Sequence, residues 1–242
     1  MKSIQKPIVS FLSRALEKRA KKFSKDHELT LLSPREIRKS HKDKLVIWLL
    51  QEGIFLQDLS LKNSKPFSLN FQYQKEENNN KNLLQRCFSK FNLDYQVYDF
   101  TAGFCLDAFL ISKLGFKINA FEKESWLFEF TREKLLKNKI DKIKLQNRNS
   151  LEVIPEVDSK SIIYLDPMFG IENKSFAKKE MHFLRKSLLD QPDELIESSL
   201  ESEAELIVIK RHKIEKKKTS KAPSYELKGK VVTFQIFDRR KN

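Results

Sequence analysis

The chain is 242 residues long, with 40% apolar and 11% aromatic side chains, a formal charge of +14, five glycines and two cysteines. This composition argues for a folded protein rather than a disordered one and supplies a full core, and no apolar run reaches the ~20 residues of a membrane span. The start, Met1-Lys-Ser-Ile-Gln-Lys-Pro, lacks a signal peptide's apolar stretch, and Cys87 and Cys105 lack metal-ligand spacing, so the expectation is a cytoplasmic protein with reduced thiols, no metal and no membrane partner.

Residues 8–23 follow a helical pattern, with Ile8, Phe11, Leu12, Ala15, Leu16 and Arg19 on one face. Residues 44–59 mix apolar runs with Gly53, as in a strand and a turn. Phe67 to Tyr73 alternates like a half-buried strand. Residues 74–82 are polar and low in complexity, a loop or a helix start, and 83–91 look helical. From Tyr95 the rhythm becomes strand, loop, helix. Strands are expected over 95–100, 117–121, 143–146, 161–165 and 204–210, with helices over 106–114, 124–137, 175–189 and 193–202. Such alternation implies βαβ units on a parallel sheet. The last two strands, 224–228 and 231–238, flank Gly229-Lys230, a hairpin signal. The expected fold is α/β: a mostly parallel seven-stranded sheet with a C-terminal antiparallel hairpin over 66–242, preceded by a small basic extension or cap over 1–65.

The charge is unevenly placed. Residues 1–44 hold 13 basic and 5 acidic side chains, and residues 210–242 hold 12 and 3, around a middle that is close to neutral. Two basic ends on a neutral body are the footprint of a polyanion binder, although a solvated lysine-rich surface has the same composition.

The most informative stretch is Ser161-Ile-Ile-Tyr-Leu-Asp166-Pro167-Met168-Phe169-Gly170. A buried parallel strand delivers its last side chains to the carboxyl edge of the sheet, where open α/β proteins bind ligands. Asp166 and the carbonyl of Pro167 suit the hydrogens of a flat amine, and Phe169 could stack on its π-face; a plain Asp-Pro turn is the alternative. Asp99-Phe-Thr-Ala-Gly103-Phe-Cys-Leu-Asp107 lies between the first strand of the alternation and its helix. Glycine there lets backbone approach a ligand. Nineteen residues after Gly103, Glu122 ends the next strand, placed for the two hydroxyls of a ribose or simply exposed at a strand end. A loop with one glycine and no phosphate clamp suits a nucleoside, and S-adenosylmethionine fits. Its ribose would rest on Glu122, its adenine near Asn149 and Ser150, and its methionine end over Gly103. Asn149-Ser150 could equally be a helix cap before Leu151.

The run Asp99-x-Thr-Ala-Gly-x-x-x-Asp107-Ala-Phe, then Leu-Asp-Pro-Met-Phe and Lys178-Lys-Glu-Met181, closely resembles the RsmJ-type methyltransferases over about residues 66–238. Ile209-Lys210-Arg211 and Lys228-Gly229-Lys230 are also similar to that family. The resemblance implies a Rossmann-like class I methyltransferase fold and transfer of a methyl from S-adenosylmethionine to the exocyclic N2 of a guanosine in small-subunit (16S) ribosomal RNA. It places cofactor contacts on Leu106, Asp107, Glu122, Lys123, Asn149, Ser150 and Asp166, alongside Asp99 and Gly103 of the loop. The family's loop reads Thr-Ala-Gly-Leu-Gly-Arg-Asp where this chain has Phe104-Cys105-Leu106 after the first glycine. Lys178, Lys179, Arg185, Lys210, Arg211, Lys216, Lys217 and Lys218 are the candidates for gripping phosphates of the RNA or of an assembling small subunit, with the protein acting as a monomer. Rival readings are an adenine-N6 or cytosine-N4 methyltransferase, and a non-catalytic RNA-binding assembly protein.

Overall fold

The N-terminal region builds a sheet of its own. β1 (Ile8–Phe11) is buried throughout and runs parallel to β2 (Leu45–Leu50), which pairs antiparallel with β3 (Gly53–Asp58). A short 3-10 turn (Arg14–Leu16), α1 (Glu17–Asp26) and α2 (Pro34–Ser40) connect β1 to β2. The helix expected from residue 8 therefore begins late. Ile8-Val9-Ser10-Phe11 instead takes register against Val46–Leu49, where its side chains are buried along the whole strand, whereas a surface helix would leave half of them wet. Ile8, Ile37, Val46 and Trp48 form the local core. Trp48 Nε1 donates to Gln57 Oε1 at 2.7 Å, so the buried indole N–H is satisfied.

The computed structural model describes residues 5–40, 43–71, 79–167, 183–184, 186–188, 192–213, 215 and 219–240. The helix expected over 175–189 therefore lies largely outside the described residues. The chain divides into two compact units, residues 1–69 with 172–189 and residues 70–171 with 190–242. In the first unit Lys186 Nζ meets Asp58 at 2.9 Å and Phe183 meets Phe67 edge-on. The strand expected over Phe67–Tyr73 is absent in its described part. Phe67 makes one isolated bridge to Leu56, and Phe71 packs on Phe109 in the second unit. The alternating aromatics thus serve different cores rather than one sheet face.

The second unit contains α3 (Asn79–Phe88), β4 (Gln96–Asp99), α4 (Leu106–Ser112), β5 (Ile118–Phe121), α5 (Ser125–Lys137), β6 (Ile143–Gln146), α6 (Ser150–Val153), β7 (Ser161–Leu165), α7 (Pro192–Glu201), β8 (Leu206–His212), β9 (Tyr225–Lys228) and β10 (Val232–Asp238). Its seven-stranded sheet has the order β6-β5-β4-β7-β8-β10-β9, parallel up to β8 and antiparallel at β10 and β9. Ile163, Leu165, Ile207 and Ile209 point to one face and pack with Leu195, Ile196 and Leu200 of α7. Tyr164, one residue out of phase, points to the other face and meets Phe88 of α3. The chain winds outward from β4 to β6 and then returns to lay β7 on the opposite side of β4. That border is the topological switch point, where α/β sheets open a crevice at their carboxyl ends.

Candidate active site

Two carboxylates face the switch point. Asp99 ends β4 with only 2% of its surface exposed, accepting hydrogen bonds from the Thr101 N–H (3.0 Å) and hydroxyl (3.3 Å). Asp166 follows β7, and its N–H donates to Thr101 Oγ1 at 2.7 Å. Thr101 therefore fastens the ends of the two central strands to each other. Burial, with the nearby Asp107 and Asp166, lifts the Asp99 pKa to about 7.

On the β7–β8 side a single cation joins two acids. Lys210 Nζ on β8 lies 2.6 Å from Asp107 and 2.7 Å from Asp166, and Asp107 also accepts from the Tyr164 hydroxyl at 2.6 Å. Burial opposes charge on Asp107, but the Lys210 ammonium and its hydrogen bond outweigh that and hold its pKa below the usual value. Asp166 is raised to about 6, by burial first and with the Asp107 charge adding to it, against the pull of Lys210. Burial disfavours the Lys210 charge, yet its two carboxylates keep the ammonium firmly protonated. Lys210, expected at a phosphate, is spent inside this cluster. Arg211 is likewise turned inward, 6% exposed, donating to Gln235 and paired with Glu215.

The loop between β4 and α4 departs from ordinary backbone twice. Gly103 has φ +48°, and Cys105, which precedes α4, has φ 54° and ψ 27°. Where the resembling family has a glycine, this chain holds a cysteine in the left-handed region, at a cost of roughly 1 kcal/mol. Its thiol is fully buried and its pKa raised by that burial. The Gly103 carbonyl accepts from Thr131 Oγ1 on α5 at 2.9 Å, and its N–H reaches Glu122. Glu122 follows β5, is 7% exposed and accepts the Glu124 N–H at 2.8 Å. Burial raises its pKa to about 7. Asn147 holds the backbone there, donating to the carbonyls of Glu122 and Lys123.

The remaining candidates fall into place unevenly. Asn149 accepts the Leu151 N–H at 3.2 Å as the cap of α6, and the Ser150 hydroxyl donates to the Phe100 carbonyl at 2.7 Å. Asn149 is thus the helix cap, whereas Ser150 ties the start of α6 to the backbone just after β4. Leu106 opens α4, Pro167 is buried, and Lys123 is exposed. Met168, Phe169, Lys178, Lys179, Arg185, Lys216, Lys217 and Lys218 lie outside the described residues. Among the described residues no group of three or more His, Cys, Asp or Glu side chains could hold a metal, and no helix is long and apolar enough to cross a membrane.

The family model described as "Putative SAM-dependent methyltransferase" matches residues 30–239. The chain belongs to this family. Two relatives named "Ribosomal RNA small subunit methyltransferase J" share 30% identity with this chain. One, from Neisseria gonorrhoeae, matches over 156 residues, 58% of this chain and 62% of the relative; the other, from Pseudomonas fluorescens, over 158 residues, 60% and 61%. The chain thus spans a little under two thirds of the length of these curated relatives. The crystal structure of a SAM-dependent methyltransferase from Neisseria gonorrhoeae superposes with a TM-score of 0.65 at 17% identity, covering 96% of this chain and 95% of that one. A T. thermophilus 16S rRNA N2 methyltransferase in complex with AdoMet and guanosine has a TM-score of 0.51 at 15% identity, covering 74% and 48%. These likenesses confirm the Rossmann-like class I fold.

The family's methyl donor is S-adenosylmethionine, and the donor set of this chain fits it. Its sulfonium and ammonium are cations, and the crevice offers Asp99, which forms no ion pair among the described residues. Its ribose diol donates two hydrogen bonds, and Glu122 is a buried acceptor at the end of the strand beside β4. Gly103 has no side chain to obstruct the approach.

Proposed function

We propose that the chain transfers a methyl group from S-adenosylmethionine to the exocyclic N2 of a guanosine in small-subunit ribosomal RNA, acting as a monomer in the cytoplasm. The observation that carries this reading is the fixing of Asp166: its N–H is held by Thr101 and its carboxylate by Lys210, beside the loop of the methyl donor. The names of the 30%-identical relatives support the choice of RNA.

When bound, the cofactor supplies a methyl already activated on a sulfonium. The protein's part is alignment and charge placement. The Asp166 side chain remains one-third exposed, so it can accept an amine hydrogen while Lys210 steadies its other oxygen. The Pro167 carbonyl accepts the second hydrogen and so turns the amine's lone pair toward the methyl. A guanine N2 lone pair is delocalised into the ring, and these acceptors localise it as attack begins. Asp166 then takes the released proton, a role suited to a carboxyl raised to about 6. Phe169, from the sequence, is the candidate for stacking on the base. A base in a duplex cannot enter such a crevice, so the target is single-stranded or flipped.

Radiolabelled S-adenosylmethionine with unmethylated small-subunit RNA or subunits tests this directly. Asp166→Ala is expected to lower transfer by at least about a hundredfold, and nucleoside analysis of wild-type product is expected to show N2-methylguanosine. Undiminished transfer by the variant removes Asp166 from the chemistry. A methyl on adenine N6 or cytosine N4 replaces the substrate.

A further inference from the structure

The N-terminal unit has a cleft of its own, of about 630 Å³, lined among others by Phe11, Leu12, Arg14, Arg35, Arg38 and Lys39. Volumes of this size hold small ligands or one to two nucleotides, roughly 300–1,000 Å³. The four cations come from two segments that the fold brings to one opening: the turn after β1 and the helix α2. That helix is short but firmly started. Pro34 is its first residue, the Ser33 N–H donates to Glu36 Oε2 at 2.7 Å, and the Glu36 N–H donates back to Ser33 Oγ at 3.3 Å.

This cap turns the Glu36 carboxylate toward the backbone. The acid in the lining, Glu17, pairs with Lys21 at 2.7 Å. Arg35, Arg38 and Lys39 are exposed, and their side chains have neither ion pair nor hydrogen bond among the described residues. On α1 of the same unit, Lys21 and Lys22 each have an acid four residues away, Glu17 and Asp26, while Lys18 and Lys25 have no ion pair among the described residues; what sets Arg35, Arg38 and Lys39 apart is that they line a cleft. Beside the unpaired cations, Leu12 lies 61% exposed next to the nearly buried Phe11, an apolar seat that a purely solvated face lacks. Guanidinium groups bind phosphate oxygens in pairs, and apolar or aromatic seats take bases and sugars.

We infer that this cleft is an RNA-docking site in which Arg14, Arg35, Arg38 and Lys39 grip backbone phosphates and Leu12 seats a base or sugar. The inference rests on the reading that the substrate is RNA, and its test separates the two. Binding of a labelled small-subunit RNA fragment to the full chain is measured by fluorescence anisotropy across a salt series, independently of methyl transfer. The Arg35→Glu/Arg38→Glu double variant is expected to bind about tenfold or more weakly, with the log affinity–log salt slope shallower by about two. Its affinity for S-adenosylmethionine, read by calorimetry, should be unchanged, and KM for RNA should rise with kcat nearly constant. Arg35→Lys/Arg38→Lys keeps both charges and should retain most of the affinity.

Unchanged affinity and slope in the double glutamate variant overturn the inference, as does an equal loss in the folded lysine variant. Loss of polyglutamate binding with RNA binding intact also overturns it, assigning the cleft to an acidic protein. A wild-type chain that transfers no methyl to RNA, alongside variants that lose RNA binding, sinks the substrate reading and leaves the cleft standing.

Discussion

The two sides of the crevice handle their acids in opposite ways. On the β4–β5 side, Asp99 and Glu122 are buried with hydrogen bonds but no ion pair among the described residues, and both have pKa values raised to about 7. On the β7–β8 side, Asp107 and Asp166 share the ammonium of Lys210. A site for a cationic cofactor can leave its countercharge to be brought by the ligand. A site for a neutral amine must carry its countercharge within the protein, because the arriving group brings none.

The largest effect that would break this contrast is expected from Lys210→Met. Two neighbouring carboxylates would then lack their shared cation. Stability should fall by about 2 kcal/mol, less than for a fully buried pair because the Asp166 side chain is one-third exposed. Methyl transfer should fall by about a hundredfold. Asp166 is useful as an acceptor only when ionised, so wild-type activity should decline as pH falls through about 6. In the variant that limb should move to higher pH, because the stabilising charge is gone. A pH–rate profile that stays in place would mean that Lys210 does not act through Asp166.

Glu122→Gln probes the other side and should have opposite effects on stability and binding. The folded carboxyl binds its proton more tightly than the unfolded one, whose ordinary value is 4.5. Burying it therefore costs stability above pH 4.5, increasingly up to about 7, and the variant should be more stable at pH 8, by about 3 kcal/mol at most because Gln keeps only part of the hydrogen bonding. The gain should vanish below pH 4.5, while the dissociation constant for S-adenosylmethionine rises about tenfold. Equal melting at pH 8 and pH 4 would show that the acid carries no burial penalty. The smallest effect is expected from Thr101→Val, which leaves the Asp166 N–H without its acceptor and removes a donor from Asp99. About 1 kcal/mol of stability and a several-fold loss of kcat are expected, with little change in cofactor affinity.

Sequence reading reached the parts of the molecule whose causes are local. Ile143–Gln146 and Ser161–Leu165 were legible to the residue, the first as an apolar–polar alternation and the second as a short apolar run. Glu122 was legible as a strand end. Ile8–Phe11 was not, since its strand character depends on Val46–Leu49, far along the chain. Lys210 shows the same limit in the site: a lysine in a basic segment reads as a phosphate ligand, and its two partners lie 103 and 44 residues away. Thr101 gave no signal beyond its place in a motif, because its function is a bond to a backbone N–H 65 residues later. The exchange of the family's second glycine for Cys105 was legible in the sequence, and the backbone angles supply its meaning, a residue in the left-handed region.

The chain enters the second unit after Leu69, leaves it after Ile171, and returns at Asp190. Three covalent crossings tie the halves together, so no single cut yields two complete modules. A chain begun at residue 70 would lack Asp58, the counter-ion of Lys186, and Phe67, the ring against Phe183. The segment that carries Lys186 and Phe183 begins at Glu172, only a few residues after Asp166. Fusion, truncation and circular permutation therefore have to treat the basic N-terminal region and the stretch that follows Asp166 as one inherited piece.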